Sequence, residues 1–224
     1  MKTYLQAVFA IARKDLSAEI RSRELISAML VFSLLVVLIF NFALELDKTA
    51  RENVAAGVLW VTFTFAGTLG LNRTFAAEKD RGSLDGLLLA PVDRTAIYFG
   101  KLISTLSFML LVEAIVLPIF TVLYGISLFN IALFGVILLG TFGYAGVGTL
   151  LACMAAQTRA RDVMLPILLF PVTVPVMLSA VRASTGILFN AEWSDIVMWV
   201  NILVVYDIIF VAVAVMVFDY LIEE

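Results

Sequence analysis

Histidine is absent from the 224-residue sequence, and cysteine occurs once, at Cys153. Histidine is the usual general base, the commonest metal ligand and the usual protein ligand of haem iron. A single thiol forms neither an intrachain disulfide nor a C-x-x-C pair, which argues against thiol exchange and against a cysteine-based zinc or iron–sulfur site within one copy. We therefore expect no catalytic, cofactor-binding or metal-binding residue in this chain.

Two sequence motifs are also missing. The string Gly100-Lys101-Leu102 lacks both the upstream glycine and the hydroxyl residue of a G-x-x-x-x-G-K-[ST] phosphate loop. There is no C-x-x-C-H haem-attachment motif, and eight methionines scattered through apolar runs are typical of packing residues rather than iron ligands. No nucleophile–base pair is visible, so an enzyme is the least favoured class, and any ATP must be bound by another subunit.

Charged residues are scarce. They make up 15% of the chain against 62% hydrophobic residues, and the mean hydropathy is +1.06. A water-soluble domain of this length needs polar residues over most of its exterior. The composition therefore indicates a membrane protein surrounded by lipid, with no nucleic-acid partner.

Six apolar runs follow one another, each long enough at about 1.5 Å per residue to cross a hydrocarbon core of about 30 Å. The sequence thus predicts an all-α integral membrane protein with six transmembrane helices in one transmembrane domain, residues 1–224. Before the first run, residues 1–24 show apolar side chains at helical spacing among basic ones, which predicts an amphipathic interfacial helix. The six runs are approximately 25–44, 54–71, 102–124, 128–153, 163–181 and 197–218.

Lysine and arginine are unevenly distributed between alternate connections. Twelve of the 15 lie in segments 1–24, 72–101 and 157–162. The connections on the other side hold three: Lys48, Arg51 and Arg182. Because cytoplasmic connections are enriched in basic residues, we expect both termini and the 72–101 segment in the cytoplasm.

The 72–101 segment combines alternating acids and bases with a leucine cluster at helical spacing. This pattern predicts a short helix across the membrane face, with an apolar underside and a charged surface offered to a cytoplasmic partner. The alternative is an interfacial helix that packs only on its own bundle.

Two acids, Glu113 and Asp207, fall near the middle of predicted spans, and no lysine or arginine lies at a matching depth. A charged carboxylate there costs roughly 2.5–3.5 kcal/mol, so each is expected to be protonated or paired and to face protein or an aqueous cavity. If the third and sixth spans adjoin, the two could share a proton at a structural or gating site. The alternative is a carboxyl that merely hydrogen-bonds a neighbouring helix.

Glycine and proline mark the fourth and fifth spans. The glycines predict close helix packing, most simply within one subunit, and lie at 135, 140, 143, 146 and 148. Pro166, Pro171 and Pro175 remove helical hydrogen bonds from the fifth span, which predicts a kinked or broken helix, either a moving part or a static feature.

Four strings resemble a known family: Gly57–Trp60, Asn72-Arg-x-Phe75, Asp80–Pro91 and Leu169–Val176. They are similar to the CcmB family, the membrane subunit of the ABC complex for cytochrome c maturation, and the resemblance extends over essentially the whole chain. It implies an ABC-2-like permease fold, a homodimer in the bacterial inner membrane, and haem transport for c-type cytochrome biogenesis. It also implies that ATP is bound by a separate CcmA-like ATPase docked on the 72–101 coupling segment, through residues Glu78, Asp80, Arg81, Gly82, Leu84, Asp85 and Leu88.

The same resemblance implies further partners: a CcmC-like haem-handling membrane protein, a CcmD-like small membrane subunit and a periplasmic haem chaperone. Haem would be handled by the complex, either exported or released with the loaded chaperone. Two other functions stay open. One is a generic ABC-2 permease for a lipid, polysaccharide or drug. The other is a dimer that transmits ATP-driven movement to a partner while haem never crosses this subunit.

Overall fold

The computed structural model describes residues 2–43, 48–80, 82, 86–87, 92–158 and 160–221. Over these ranges the long elements are all helices, and six of them, α2 to α7, contain a stretch long and apolar enough to span a bilayer. The predicted all-α membrane fold with six spans is confirmed. The helices are α1 Lys2–Ser22, α2 Glu24–Ala43, α3 Lys48–Asp80, α4 Arg94–Tyr124, α5 Ile131–Ala156, α6 Arg161–Leu188 and α7 Trp193–Leu221.

Helices α3 and α5 form the centre of the bundle. Their apolar stretches are 72% and 61% buried, whereas those of α2 and α7 are each 22% buried. The outer helices expose large apolar side chains such as Phe42 and Met216. This distribution is expected when the surrounding solvent is lipid, because outward-facing apolar side chains then carry no penalty.

Small residues on α5 let its neighbours approach closely. A side chain at Gly140 would collide with Trp60 of α3, and one at Gly148 would collide with Leu71 of the same helix. Gly135, by contrast, faces open space. The predicted packing within one chain is therefore confirmed for Gly140 and Gly148.

The helices flanking the predicted coupling segment are longer than the sequence indicated. Helix α3 continues past residue 71 to Asp80, and α4 begins at Arg94, where the Asp93 side chain accepts a hydrogen bond of 2.9 Å from the Thr95 amide. An apolar run ends where the chain leaves the lipid, whereas the helix itself can continue into water. Only residues 81–93, here called the α3–α4 connection, join the two helices.

Helix α1 is separated from α2 by Arg23 alone, which has a left-handed φ of 55°. The Glu19 side chain accepts a 2.9 Å hydrogen bond from the Ile26 amide and so caps the start of α2. The apolar stripe predicted for residues 1–24 is divided: Val8 and Ala12 are buried, while Phe9 is 64% exposed. One side of α1 thus packs on protein, chiefly α4, and another remains for the membrane interface.

Helix α6 runs through Pro166, Pro171 and Pro175 as one 28-residue helix, so the break that the sequence allowed is not present. Proline removes a hydrogen bond, but α6 lies against α3, α5 and α7, and packing of this kind holds the helix together. The Tyr206 hydroxyl of α7 also donates to the Val172 carbonyl of α6 at 3.0 Å, which joins these two helices.

Candidate functional site

The proposed docking residues lie at the end of α3 and in the α3–α4 connection. Glu78 lies in the last turn of α3. Gly82, in the connection, has a φ of 66°, a backbone conformation that favours glycine. Asp80 ends α3, but its side chain is outside the described part of the chain, as are residues Arg81, Leu84, Asp85 and Leu88. Docking on these residues remains a prediction.

Four charged side chains at this end of the bundle form an ion-pair ring, defined as Lys14, Asp15, Glu78 and Lys101. Lys14 Nζ lies 2.7 Å from Glu78 Oε1 and 3.3 Å from Asp15 Oδ1. Lys101 Nζ lies 2.8 Å from Asp15 Oδ2 and also pairs with Glu78 Oε2. Each lysine therefore contacts both acids, and the ring joins α1, α3 and α4 without net charge.

Burial strengthens the attraction between the charges of this ring and also costs them their hydration. Lys101 is 1% exposed, and its ammonium lies 5.7 Å from the centre of the Phe75 ring, within cation–π range. Burial by itself would raise the pKa of Glu78, but the charges and hydrogen bonds of Lys101 and Lys14 outweigh it and lower that pKa below its ordinary value. The Glu78 carboxylate is thus held charged by its lysine partners.

The absence of a side chain at Gly100 allows α1 to reach the ring. A Cβ atom at Gly100 would lie 2.8 Å from Ile11 Cβ and 3.1 Å from the Val8 carbonyl oxygen. A second contact fixes the start of α4, where the Tyr4 hydroxyl and Thr95 Oγ1 are 3.0 Å apart. The dipeptide Gly100-Lys101, which forms no phosphate loop, instead docks α1 on α4.

The sequence does not predict the ring, although it contains one signal of it. Asp15 and Glu19 interrupt the buried side of the N-terminal amphipathic helix, and Lys101 directly precedes an apolar run. Charges in such places need partners. Which partners they find depends on contacts between residues up to 86 positions apart, as for Asp15 and Lys101.

The midplane acids Glu113 and Asp207 are both buried, as predicted, and both lie against α5. Thr141 donates a 2.8 Å hydrogen bond to Glu113 Oε1, while Glu113 Oε2 has no hydrogen-bond partner among the residues that the structure describes. Asp207 lies against Gly143, and within the described part of the chain neither of its carboxylate oxygens has a hydrogen-bond partner. The acids therefore do not share a proton through a direct hydrogen bond in this structure.

Helical geometry explains why these acids stay apart. Thr141 and Gly143 are two positions apart on α5, which places them roughly 200° apart around the helix axis. Glu113 comes from α4 and Asp207 from α7, so they meet α5 on different sides. Their role in gating is still a prediction.

The family model described as CcmB protein matches residues 6–222. The chain belongs to the CcmB family. Relatives of this CcmB family chain include heme exporter protein B of Rhodobacter capsulatus, 29% identical over 75% of this chain and 78% of the relative. The heme exporter protein B of Bradyrhizobium diazoefficiens is 24% identical over 82% of this chain and 83% of the relative. That of Pseudomonas aeruginosa is 23% identical over 76% and 77%.

Proposed function

We propose that this chain is the membrane-spanning permease subunit of an ABC transporter complex that exports haem for c-type cytochrome biogenesis. The match of the CcmB family model to residues 6–222 carries the proposal. Relatives that cover three quarters or more of the chain are named heme exporter protein B. The six-span helical architecture fits a subunit that works in the membrane and leaves ATP hydrolysis to another chain.

The ATPase subunit docks on the α3–α4 connection and its flanks. The ion-pair ring supports this position, because Glu78 lies three residues before residue 81 and Lys101 lies within the first turns of α4. A force applied to the connection therefore reaches α1, α3 and α4 together. ATP is bound by that CcmA-like partner. Two copies of this chain form a homodimer, which associates with CcmC-like and CcmD-like membrane subunits and with a periplasmic haem chaperone.

The complex lies in the bacterial inner membrane with both termini of this chain in the cytoplasm, as the distribution of lysine and arginine indicates. Single cysteines test this topology in a background that lacks Cys153. A membrane-impermeant thiol reagent should label positions 48 and 190 in intact cells but not position 83. Labelling at position 83 would invert the topology.

Purification of the tagged chain with its native partners tests the proposed function. We expect an ABC ATPase and cytochrome maturation proteins to co-purify, together with a haem absorption spectrum that depends on ATP turnover. The double change Asp80→Lys and Asp85→Lys should abolish ATPase co-purification without affecting membrane insertion, while Asp195→Lys on α7 serves as a control. Co-purification with an ATPase but without haem or maturation proteins would favour a generic ABC-2 permease.

A further inference from the structure

A cavity of about 350 Å³ opens beside the ion-pair ring, between α1, the start of α2, the end of α3 and α4. Its apolar wall includes Leu25 and Phe108, and its charged rim includes Glu24 and Arg73. Those two rim side chains are 66% and 47% exposed. Charged and exposed groups of this kind belong in water or among lipid headgroups, so the mouth opens at the membrane face rather than inside the bilayer.

Among the described residues around the cavity, one acid has no counter-ion. Asp15 and Glu78 are paired within the ring, and Arg73 contacts Glu24 at 3.3 Å. Glu19 also lines the cavity, is 8% exposed, and pairs with no lysine or arginine in the part of the chain that the structure describes. A buried carboxylate without a cation is unfavourable unless another group compensates its charge.

Two hydrogen bonds hold the Glu19 carboxylate in place without neutralising it. Oε1 accepts from the Ile26 amide at 2.9 Å, and the Ser22 hydroxyl donates to Oε2 at 3.3 Å. Both donors are neutral. The side chain is therefore fixed beside the cavity by the α1–α2 junction while its charge is left for a cationic ligand.

We propose that this cavity receives a lysine or arginine side chain of the cytoplasmic ATPase subunit, paired with Glu19. A long side chain of this type has an apolar stem that fits against Leu25 and Phe108 and a cationic head that meets the carboxylate. The cavity shares Glu78 with the ring, so it borders the docking connection. The proposal rests on the proposed function and adds a second contact point to it, on α1.

Glu19→Gln separates charge from structure, since the carboxamide oxygen still accepts from the Ile26 amide. The measurement is the affinity of the ATPase subunit that co-purifies with the wild-type chain, for the chain in nanodiscs, with thermal unfolding as a check on folding. Glu19→Gln should weaken binding by about tenfold or more. Asp162→Asn, at an exposed position of α6 that does not line the cavity, is the matched control and should change affinity by less than about threefold.

A second variant, Ala18→Trp, fills the cavity without altering the α2 cap and should weaken binding similarly. Unchanged affinity in folded Glu19→Gln and Ala18→Trp overturns the inference while leaving the proposed function in place. If the wild-type chain binds no ATPase, the proposed function fails and the inference with it. Phosphatidylethanolamine retained by wild-type but not by Glu19→Gln in native mass spectrometry, with unchanged ATPase affinity, would show a lipid ammonium as the occupant and overturn the inference.

Discussion

The ion-pair ring and the midplane acids are two solutions to the same problem, a buried carboxyl group. In the ring, Asp15 and Glu78 each contact two lysines. In the middle of the bundle, and counting only residues that the structure describes, Glu113 has one neutral donor, Thr141, and Asp207 has none. The ring requires that its lysines and its acids are both charged. The midplane carboxyls are instead accommodated by close packing against α5.

The difference follows from depth in the membrane. Near the membrane face, long lysine side chains can reach an acid while part of the site remains close to water. At the bilayer centre a charged side chain costs roughly 2.5–3.5 kcal/mol, and no base is available there to compensate it. The comparison therefore predicts that the ring tolerates no loss of charge and that the midplane sites tolerate a neutral side chain of the same shape.

Replacing Lys101 should have the largest effect on stability. Lys101→Met removes a cation that pairs with both Asp15 and Glu78, and removal of one partner from a buried ion pair destabilises by about 3–5 kcal/mol. Thermal or denaturant unfolding of the purified chain measures this loss. Arg13→Met, at an exposed position of α1, is the control and should change stability by less than about 0.5 kcal/mol. Equal effects of the two substitutions would refute the importance of the ring.

A methyl group at Gly100 should weaken the ring indirectly. Gly100→Ala pushes against Ile11 and the Val8 backbone, and overpacking of this kind costs about 1–3 kcal/mol. Gly135→Ala places the same methyl group in open space on α5 and should be neutral or stabilising by up to about 1 kcal/mol. Unfolding measurements on both variants give the comparison, and similar values for the two would contradict close docking of α1 on α4.

The pH dependence of stability should reveal how much the charge of Glu78 contributes to stability. Its pKa is lowered in the folded chain from an ordinary value of 4.5, so its ion pairs contribute fully above about that pH. This contribution is lost as the pH falls through the lower pKa that Glu78 has in the folded chain. The difference in melting temperature between wild type and Glu78→Gln should be constant near neutral pH and shrink below pH 4.5. A difference that does not change on acidification would exclude the charge of Glu78 as its source.

The smallest effect on stability is expected at the midplane. Glu113→Gln keeps an acceptor for Thr141, and Asp207→Asn keeps the side-chain shape, so each should alter stability by less than about 1 kcal/mol. If these acids serve in gating, ATP-dependent turnover of the assembled complex should nevertheless fall in both variants. Turnover at the wild-type level with normal assembly would identify them as packing residues.

Much of the architecture was predictable from the sequence because hydropathy reports directly on burial in lipid. The apolar run predicted at 25–44 corresponds to α2 at Glu24–Ala43, and the run at 197–218 falls within α7. Helix ends outside the bilayer were less predictable, as the extension of α3 to Asp80 shows. Hydropathy alone does not distinguish a solvated helix from a solvated loop.

The sequence by itself determined that this chain spans a membrane six times, that Glu113 and Asp207 lie buried in those spans, and that the chain resembles the CcmB family. These properties depend on local composition and motif order. Only the tertiary structure decided that Lys101 pairs with Asp15 and Glu78, that α1 docks at Gly100, and that Glu19 lies beside a cavity with no counter-ion among the described residues. Such contacts join residues distant along the chain, and their energies depend on distance and burial, which composition and periodicity do not specify.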